Sequence, residues 1–321
     1  KKFSKLFGIE PKTRDEKTLQ IHFDIGASAQ KALEDVILKM INHIHIKTKM
    51  KNLCIGGGVA LNGVANYKIL SEGPFENVHI PPSPGDAGSA VGAAQYLYYV
   101  YHKNSKNTSD NTQLIQENVY VGPSYTNEEI KAFLDSKNIS YESLNNTQLL
   151  HTTAQLIADG NVVGWYQGKM EWGPRALGNR SILADPRRAD MKDILNAKIK
   201  HRESFRPFAP SIMEEFASEY FEMDIPSPYM LMVAPVKKPK EIPAVTHVDG
   251  TGRLQTVSKE NNELYYNLIN EFYNITGVPV IINTSMNVMG EPIVNIPEQA
   301  YSMIVKTDMD YLVMGNFLVK K

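Results

Sequence analysis

Between Gly164 and Phe208 the chain sets Lys169, Arg175, Arg180, Arg187, Arg188, Lys192, Lys198, Lys200, Arg202 and Arg206 against only Glu171, Asp185, Asp190, Asp193 and Glu203. Gly164, Gly168, Gly173 and Gly178 stretch its first half into a loop too long for a simple turn, and glycine lets backbone approach a ligand closely. Arginines interleaved with glycine and proline, rather than repeated at helical spacing, suit forked contacts to phosphate or carboxylate. The plainer alternative is a solvated face with a few ion pairs. Other stretches could join them. Asn52-Leu53-Cys54-Ile55 reads as a short buried strand running into Gly56, Gly57 and Gly58 and on to Asn62. That arrangement offers bare amides to a phosphate, or is only a tight strand-to-helix turn. His247, Asp249, Arg253 and Gln255 share a hairpin-like loop from Thr246 to Val257, read as a ligand loop. Asn283-Thr284-Ser285-Met286-Asn287 closes a buried strand, where α/β sheets commonly rim a ligand. Asp86 stands where a loop enters a helix, as an N-cap or as a metal carboxylate.

These side chains need a scaffold, and periodicity outlines it. Ser28 predicts the cap of a helix carrying Ala32, Leu33, Val36, Ile37, Met40, Ile41 and Ile44 on one face. His43 and His45 at its end diverge on a helix and read as surface residues. Phe75 to Ile80 reads as a strand, followed by a small-residue helix through Tyr96. Residues 102–118, rich in Asn, Ser and Thr, read as a linker. A second domain then starts with Val119-Tyr120-Val121-Gly122, and Thr126 with Glu129 forms a capping box. A helix over about residues 147–159 leads to a buried strand at Asn161-Val162-Val163. Asp185-Pro186 reads as a helix start, with Met191, Ile194, Leu195 and Ile199 inward and Lys192 and Lys200 towards solvent or ligand. Ser227 to Met232 starts a strand, Asn261 to Asn274 is a helix closed by Gly277, Val278 to Ile282 is a buried strand, and the last strand lies within Asp308 to Leu318.

At 321 residues the chain holds two domains or one large one, and 42% hydrophobic with 21% charged residues is ordinary soluble composition. A formal net charge of −1 argues against wholesale nucleic-acid binding by a basic body. No apolar run approaches the roughly 20 residues a membrane span needs. No apolar core follows the lysines of Lys1-Lys2-Phe3-Ser4-Lys5-Leu6-Phe7, so that start is not a signal peptide, and without an initiating Met it suggests a piece of something longer. The single cysteine, Cys54, leaves no internal disulfide or cysteine cluster, reads as inert, and points to the cytoplasm.

The strings GGGVALNGVANYKIL and FENVHIPPSPGDAGSAVGAA, with DIGASAQKALEDVI at Asp24 to Ile37 and KLFG at Lys5 to Gly8, resemble part of a known family. They look like the second lobe of the kinase-like domain of nodulation-type O-carbamoyltransferases, a lobe of the actin and sugar-kinase ATPase fold. VVGWYQGKMEWGPRALGNRSILADPR, IKHRESFRPFAPSI, SPYM, HVDGTGRLQTV and GVPVIINTSMNVMGEPIV resemble the rest of that family over most of residues 119–321. That region is similar to a YrdC-like domain, the fold that makes threonylcarbamoyl-adenylate for tRNA modification. The resemblance implies an α/β (α+β) fold: a partial kinase-like lobe at 1–101, a linker at 102–118 and a twisted mixed-sheet YrdC-like domain at 119–321. It implies that Gly56, Gly57 and Gly58, with Asn62, hold the nucleotide. Asp86 would bind a divalent metal, Fe or Mg, with two histidines of a His-x-x-x-His motif that, like the first lobe, stands upstream of residue 1. His22, His43 and His45 do not match that motif. Lys200 and Arg202, matching a Lys-x-Arg element, and Ser285 and Asn287, matching Ser-x-Asn, would hold an adenylate. Carbamoyl phosphate and ATP would give carbamoyl-adenylate, and the carbamoyl group would pass to a small-molecule hydroxyl acceptor.

Such chemistry brings a dianion beside a triphosphate, so fixed cations should be the main catalytic tools. Lys169, Arg175, Arg180, Lys200, Arg202 and Arg206 are assigned to phosphate and carbamoyl anchoring, and Ser227, Ser285 and Asn287 to orienting the adenylate. Met170, Asn179, Ser181, His247, Asp249, Arg253, Asn283 and Thr284 complete the binding set. With the first lobe upstream, the chain itself would carry the adenylate step alone. Two other readings compete. A kinase-like phosphotransferase using the Gly56 turn would release ADP, and a non-catalytic polyanion-binding module would show salt-sensitive binding without turnover.

Overall fold

Residues 2–13, 16–104 and 119–321 of the computed structural model are described here; from residue 105 onward the linker expected at 102–118 lies outside them. Contacts divide the chain into two compact units, one of Lys1–Leu53 with Lys68–Val78, the other of Cys54–Tyr67 with His79–Lys321.

In the first unit the helix Gln20–Thr48 starts well before the expected cap. Its N-cap is Leu19, whose amide donates to His22 Nδ1 (2.9 Å), while the Ser28 hydroxyl donates to the Asp24 carbonyl (2.7 Å). Ser28 is therefore a mid-helix back-bonding serine, a hydrogen-bond pattern local sequence equally allows. Of the apolar face read from the sequence only Ile41 is buried, together with Glu34, which pairs with Lys68 at 3.3 Å.

The second unit is built on runs that alternation alone cannot explain. Val163–Tyr166 and Arg180–Ala184 are buried on both faces, so their amides and carbonyls must be paired within a sheet. They form part of an eight-stranded mixed sheet: β1 (Glu142–Ser143), β2 (Val163–Tyr166), β3 (Arg180–Ala184), β4 (Ala209–Met213), β5 (Gln255–Val257), β6 (Val280–Ser285), β7 (Tyr311–Met314) and β8 (Phe317–Lys320), in the spatial order β1-β8-β7-β2-β3-β6-β4-β5. Strand β2 runs parallel to β7 and β4 parallel to β5; the other neighbours are antiparallel. Ser285 stands opposite Ser181, and Asn283 opposite Leu183 and Ala209. The helices Asn146–Ala158 and Glu263–Thr276 pack together, carrying buried Leu149, Ala154, Ile157, Leu268, Ile269 and Phe272. The Thr126–Glu129 capping box forms as expected, with both reciprocal bonds present (3.2 and 2.7 Å). The fold is mixed α/β, of the α+β kind.

Several local expectations are corrected. Cys54 lies on the strand Asn52–Cys54 but is exposed. Asp185 does not start a helix: its carboxylate accepts the Arg187 backbone N–H (2.9 Å) together with Arg187 Nε and Nη2 (2.9 and 2.7 Å), which closes a local turn instead. The helix begins at Met191, runs to Ile194 and continues as a π-helical turn, Leu195–Lys200, which ends at left-handed His201 (φ 49°). Met230–Met232 is buried but not a strand. Within the 246–257 segment the His247 amide donates to the Thr251 carbonyl (2.7 Å), closing a tight turn; Thr251–Gly252 then pairs with Ala234–Pro235, and Gln255–Val257 joins β4.

Candidate functional site

The loop between β2 and β3 folds around one carboxylate. Glu171 is buried, and its Oε1 accepts the backbone N–H groups of Leu177 (2.7 Å), Asn179 (2.7 Å) and Arg180 (3.2 Å). Burial raises its pKa, and these amide donors work against that rise. The Leu177 carbonyl is held in turn by Tyr120 Oη and Gln255 Nε2, both at 2.8 Å. Gly178 turns at φ +113°, and a Cβ there would lie 2.3 Å from Tyr265 Cδ1, so no side chain fits. The loop also lies against Pro82 and Ser83: a Cβ on Gly173 would come 3.3 Å from the Pro82 carbonyl.

So pinned, the loop presents Arg175 to a cavity of about 100 Å³ lined by Pro174, Arg175, Ala176, Arg202, Pro207, Phe208, Ala209, Met230, Arg253, Asn283, Thr284 and Ser285. Three guanidinium groups and no carboxylate stand among these residues. Burial lowers the pKa of all three, and the charges of Arg175 and Arg202 help bring Arg253 down to about 9. The Nε atoms of Arg175 and Arg253 are buried without a hydrogen-bond partner. Mutually repelling donors around an enclosed space make a receptor for an anion. The volume lies below that of ordinary ligand pockets, so the cavity suits a small anion rather than a whole nucleotide. Arg202 is aimed by Asn196, whose Oδ1 accepts its Nε at 2.7 Å, and it stacks over Phe208 at 4.7 Å. A second cavity of about 220 Å³, lined by Lys192, Phe205, Pro207, Thr246, His247, Val248 and Asp249, shares Pro207 with the first.

Lys200 stands behind the cavity wall. It is buried, and its Nζ donates to the Ser285 carbonyl, to the Asn287 carbonyl (2.9 Å) and to Asn287 Oδ1 (2.8 Å), with Ser285 Oγ at 3.4 Å. Asn287 is otherwise engaged, accepting from Ser285 Oγ (2.7 Å) and donating to the Glu291 carbonyl (2.8 Å). Lys200 and Asn287 brace the end of β6 and the placement of Ser285, their polar atoms taken up by protein. Burial, then the Arg202 charge, brings the Lys200 pKa down to about 7 from 10.5, while the surrounding oxygens favour the ammonium. The unfolded lysine binds its proton up to higher pH, so this group makes the fold more stable as pH rises from about 7 towards 10.5. Urea unfolding across that range should show a rise that Lys200→Met flattens; equal slopes in both proteins would refute it.

The remaining sequence-chosen residues divide. Arg180 lies outside the cavity lining: its guanidinium donates to the carbonyls of Gln167 (2.6 Å), Asn179, Pro123 and Gly168 and lies 3.8 Å from the Tyr166 ring centroid. Lys169 is exposed and outside the cavity lining, and Arg206 is exposed and paired with Glu203 at 2.9 Å. Their charges cost less in water than in the cavity, which explains both positions. Asn179 ties Lys169 to Asn262, Ser181 accepts from the Gly178 amide, and the Met170 carbonyl accepts from the Gly122 amide, so all three shape the loop. Ser227 Oγ is buried without a partner. Thr251 Oγ1 donates to Asp249 Oδ1 (2.7 Å), so His247 Nδ1, 3.0 Å from that hydroxyl, must be the donor of its pair, leaving Nε2 a buried bare acceptor. Burial lowers the His247 pKa, which favours this neutral form.

Gly56, Gly57 and Gly58 form an exposed turn, with the Gly57 amide on the Pro84 carbonyl (2.7 Å), and Asn62 caps the next helix through Ala65 (3.0 Å). Asp86 is exposed at the first position of the helix Asp86–Gln95, and among the described residues no three His, Cys, Asp or Glu side chains gather. The residues present here do not make the metal site that the resemblance implies.

Residues 154–321 match the family described as Carbamoyltransferase C-terminus, and residues 1–95 match Carbamoyltransferase N-terminus. The chain belongs to the carbamoyltransferase family. It is 43% identical to the nodulation protein NolNO of Sinorhizobium fredii, over 98% of this chain and 46% of that protein. It is 41% identical to the nodulation protein NolO of Bradyrhizobium diazoefficiens, over 98% of this chain and 58% of the relative. The carbamoyltransferase chain thus spans about half the length of the curated relatives it matches. The solved structure of T.kodakarensis HypF aligns at 18% identity and a TM-score of 0.41, over 54% of this chain and 22% of that one, too distant to carry an argument.

Sequence reasoning missed Glu171 and Asn196 in this carbamoyltransferase. Glu171 passed as one of the few acids opposing the basic stretch. Its position just before a glycine-proline loop was the signal available, since a carboxylate there can collect successive amides.

Proposed function

We propose that this chain carries the carbamoyl-activating site of a carbamoyltransferase, which forms carbamoyl-adenylate from carbamoyl phosphate and ATP. The observation that carries the reading is the small enclosed cavity in which Arg175, Arg202 and Arg253 converge without an acid. Atom balance requires water to release phosphate from carbamoyl phosphate; the resulting carbamate oxygen attacks the α-phosphorus of ATP and expels pyrophosphate. Apart from water, every species in that sequence is anionic, so three preorganised guanidinium groups lower the barrier electrostatically. No side chain has to form a covalent bond. Residues 119–321 are proposed to form the YrdC-like adenylate domain, and residues 1–101 a lobe of the kinase-like transfer domain. Transfer to a small-molecule hydroxyl, with any metal that step uses, is proposed for the whole protein rather than for this chain alone. The single cysteine agrees with a cytoplasmic setting; among the described residues no helix is long and apolar enough to cross a membrane.

Incubating the chain with ATP and carbamoyl phosphate and identifying the nucleotide tests the proposal. AMP with pyrophosphate, dependent on carbamoyl phosphate, is expected. ADP would favour a phosphotransferase, and no turnover with salt-sensitive polyanion binding would favour a binding module.

A further inference from the structure

Amid the arginine donors of the cavity, one lining side chain carries a buried acceptor that no donor fills. Asn283 is 1% exposed, and its Nδ2 is spent on Gln255 Oε1 (2.9 Å) and the Ala176 carbonyl (3.3 Å). Its Oδ1 is buried and accepts from no donor. The orientation of this amide follows from its neighbours. Gln255 Nε2 donates to the Leu177 carbonyl, so Gln255 Oε1 must be the atom that takes both Ser211 Oγ (2.7 Å) and Asn283 Nδ2. Turning Asn283 over would set its oxygen against two others. A fully ionised phosphate ester has acceptor oxygens for the arginines and no hydrogen to donate to Asn283; an amino group beside the phosphate fills both needs.

We propose that Asn283 reads the amino group of the carbamoyl substrate, accepting an N–H at Oδ1 and so selecting carbamoyl phosphate over acyl phosphates of the same shape. This rests on the carbamoyl reading of the site. An analogue with methyl in place of amino leaves the buried oxygen unpaired, the situation in which polar sites discriminate most strongly.

The test compares carbamoyl phosphate, acetyl phosphate and inorganic phosphate as ligands of the full chain by calorimetry, and the first two as substrates for AMP formation. The chain should bind carbamoyl phosphate at least about tenfold more tightly than acetyl phosphate. In Asn283→Ser that ratio should fall to within about twofold, while inorganic phosphate binding shows the arginine cavity intact. Equal binding by the unaltered chain, or an undiminished ratio in a folded Asn283→Ser, overturns the assignment. Should Asn283→Ser fail to fold, the ratio in the unaltered chain decides. Preferential binding without AMP formation would sustain Asn283 and sink the adenylate reading; AMP formed equally from both compounds would do the reverse.

Discussion

Arg253→Ala should lower carbamoyl phosphate-dependent AMP formation about a hundredfold or more, the usual cost of removing one preorganised charge from a transition state. Arg253 is enclosed, its Nε is unpartnered, and its charge is opposed by Arg175 and Arg202 rather than balanced by an acid. Three like charges held together in a low-dielectric space repel one another until an anion arrives. Removing one should therefore leave the empty protein at least as stable while destroying the receptor. Arg175→Ala should behave alike, whereas Arg206→Ala, which loses only an exposed pair with Glu203, should stay within about twofold of the unaltered chain. Pyrophosphate release followed by enzyme coupling, alongside thermal unfolding, measures both sides. Full activity in Arg175→Ala and Arg253→Ala would show that the anions meet elsewhere.

The second large effect is on stability. Glu171→Ala removes the acceptor shared by the amides of Leu177, Asn179 and Arg180, all in buried backbone. Left unpaired, they should cost about 3 kcal/mol, after allowing for the relief of burying a carboxylate whose Oε2 has no partner. Glu171→Gln keeps an accepting oxygen, supplies an amide where that lone Oε2 sits, and should remain within about 1 kcal/mol of the unaltered protein. Chemical denaturation of the three proteins separates these outcomes. Comparable losses in Ala and Gln would mean that the negative charge, not the hydrogen-bond geometry, organises the loop.

Much of the scaffold could be read from local pattern. The Thr126–Glu129 box, the helix closed by Gly277 and the buried run before Asn283 each depend on residues a few positions apart, where spacing and rotamer preference decide the outcome. The basic stretch was visible too, but its charges were not equivalent. Arg175 and Arg202 face the cavity, Arg180 is filled by backbone carbonyls, Arg187 by Asp185 and Arg206 by Glu203. One-dimensional charge counting weighs all of these alike. Ser28 and Asp185 show the converse error: each carries a plausible cap signal, but Ser28 bonds back within a helix and Asp185 closes a local turn.

By itself, then, the amino-acid order determined family membership, the α+β character and the presence of a basic, glycine-rich segment, because motif strings and periodicity are properties of neighbours along the chain. Only the tertiary structure decided which cations share a cavity, that Lys200 and Asn287 hold the end of β6, and that Glu171 and Asn283 are buried where each polar atom counts. Those outcomes depend on desolvation and on partners as far apart as Lys200 and Ser285 or Asn283 and Gln255. Strand pairing brings such residues together, and no local pattern records it.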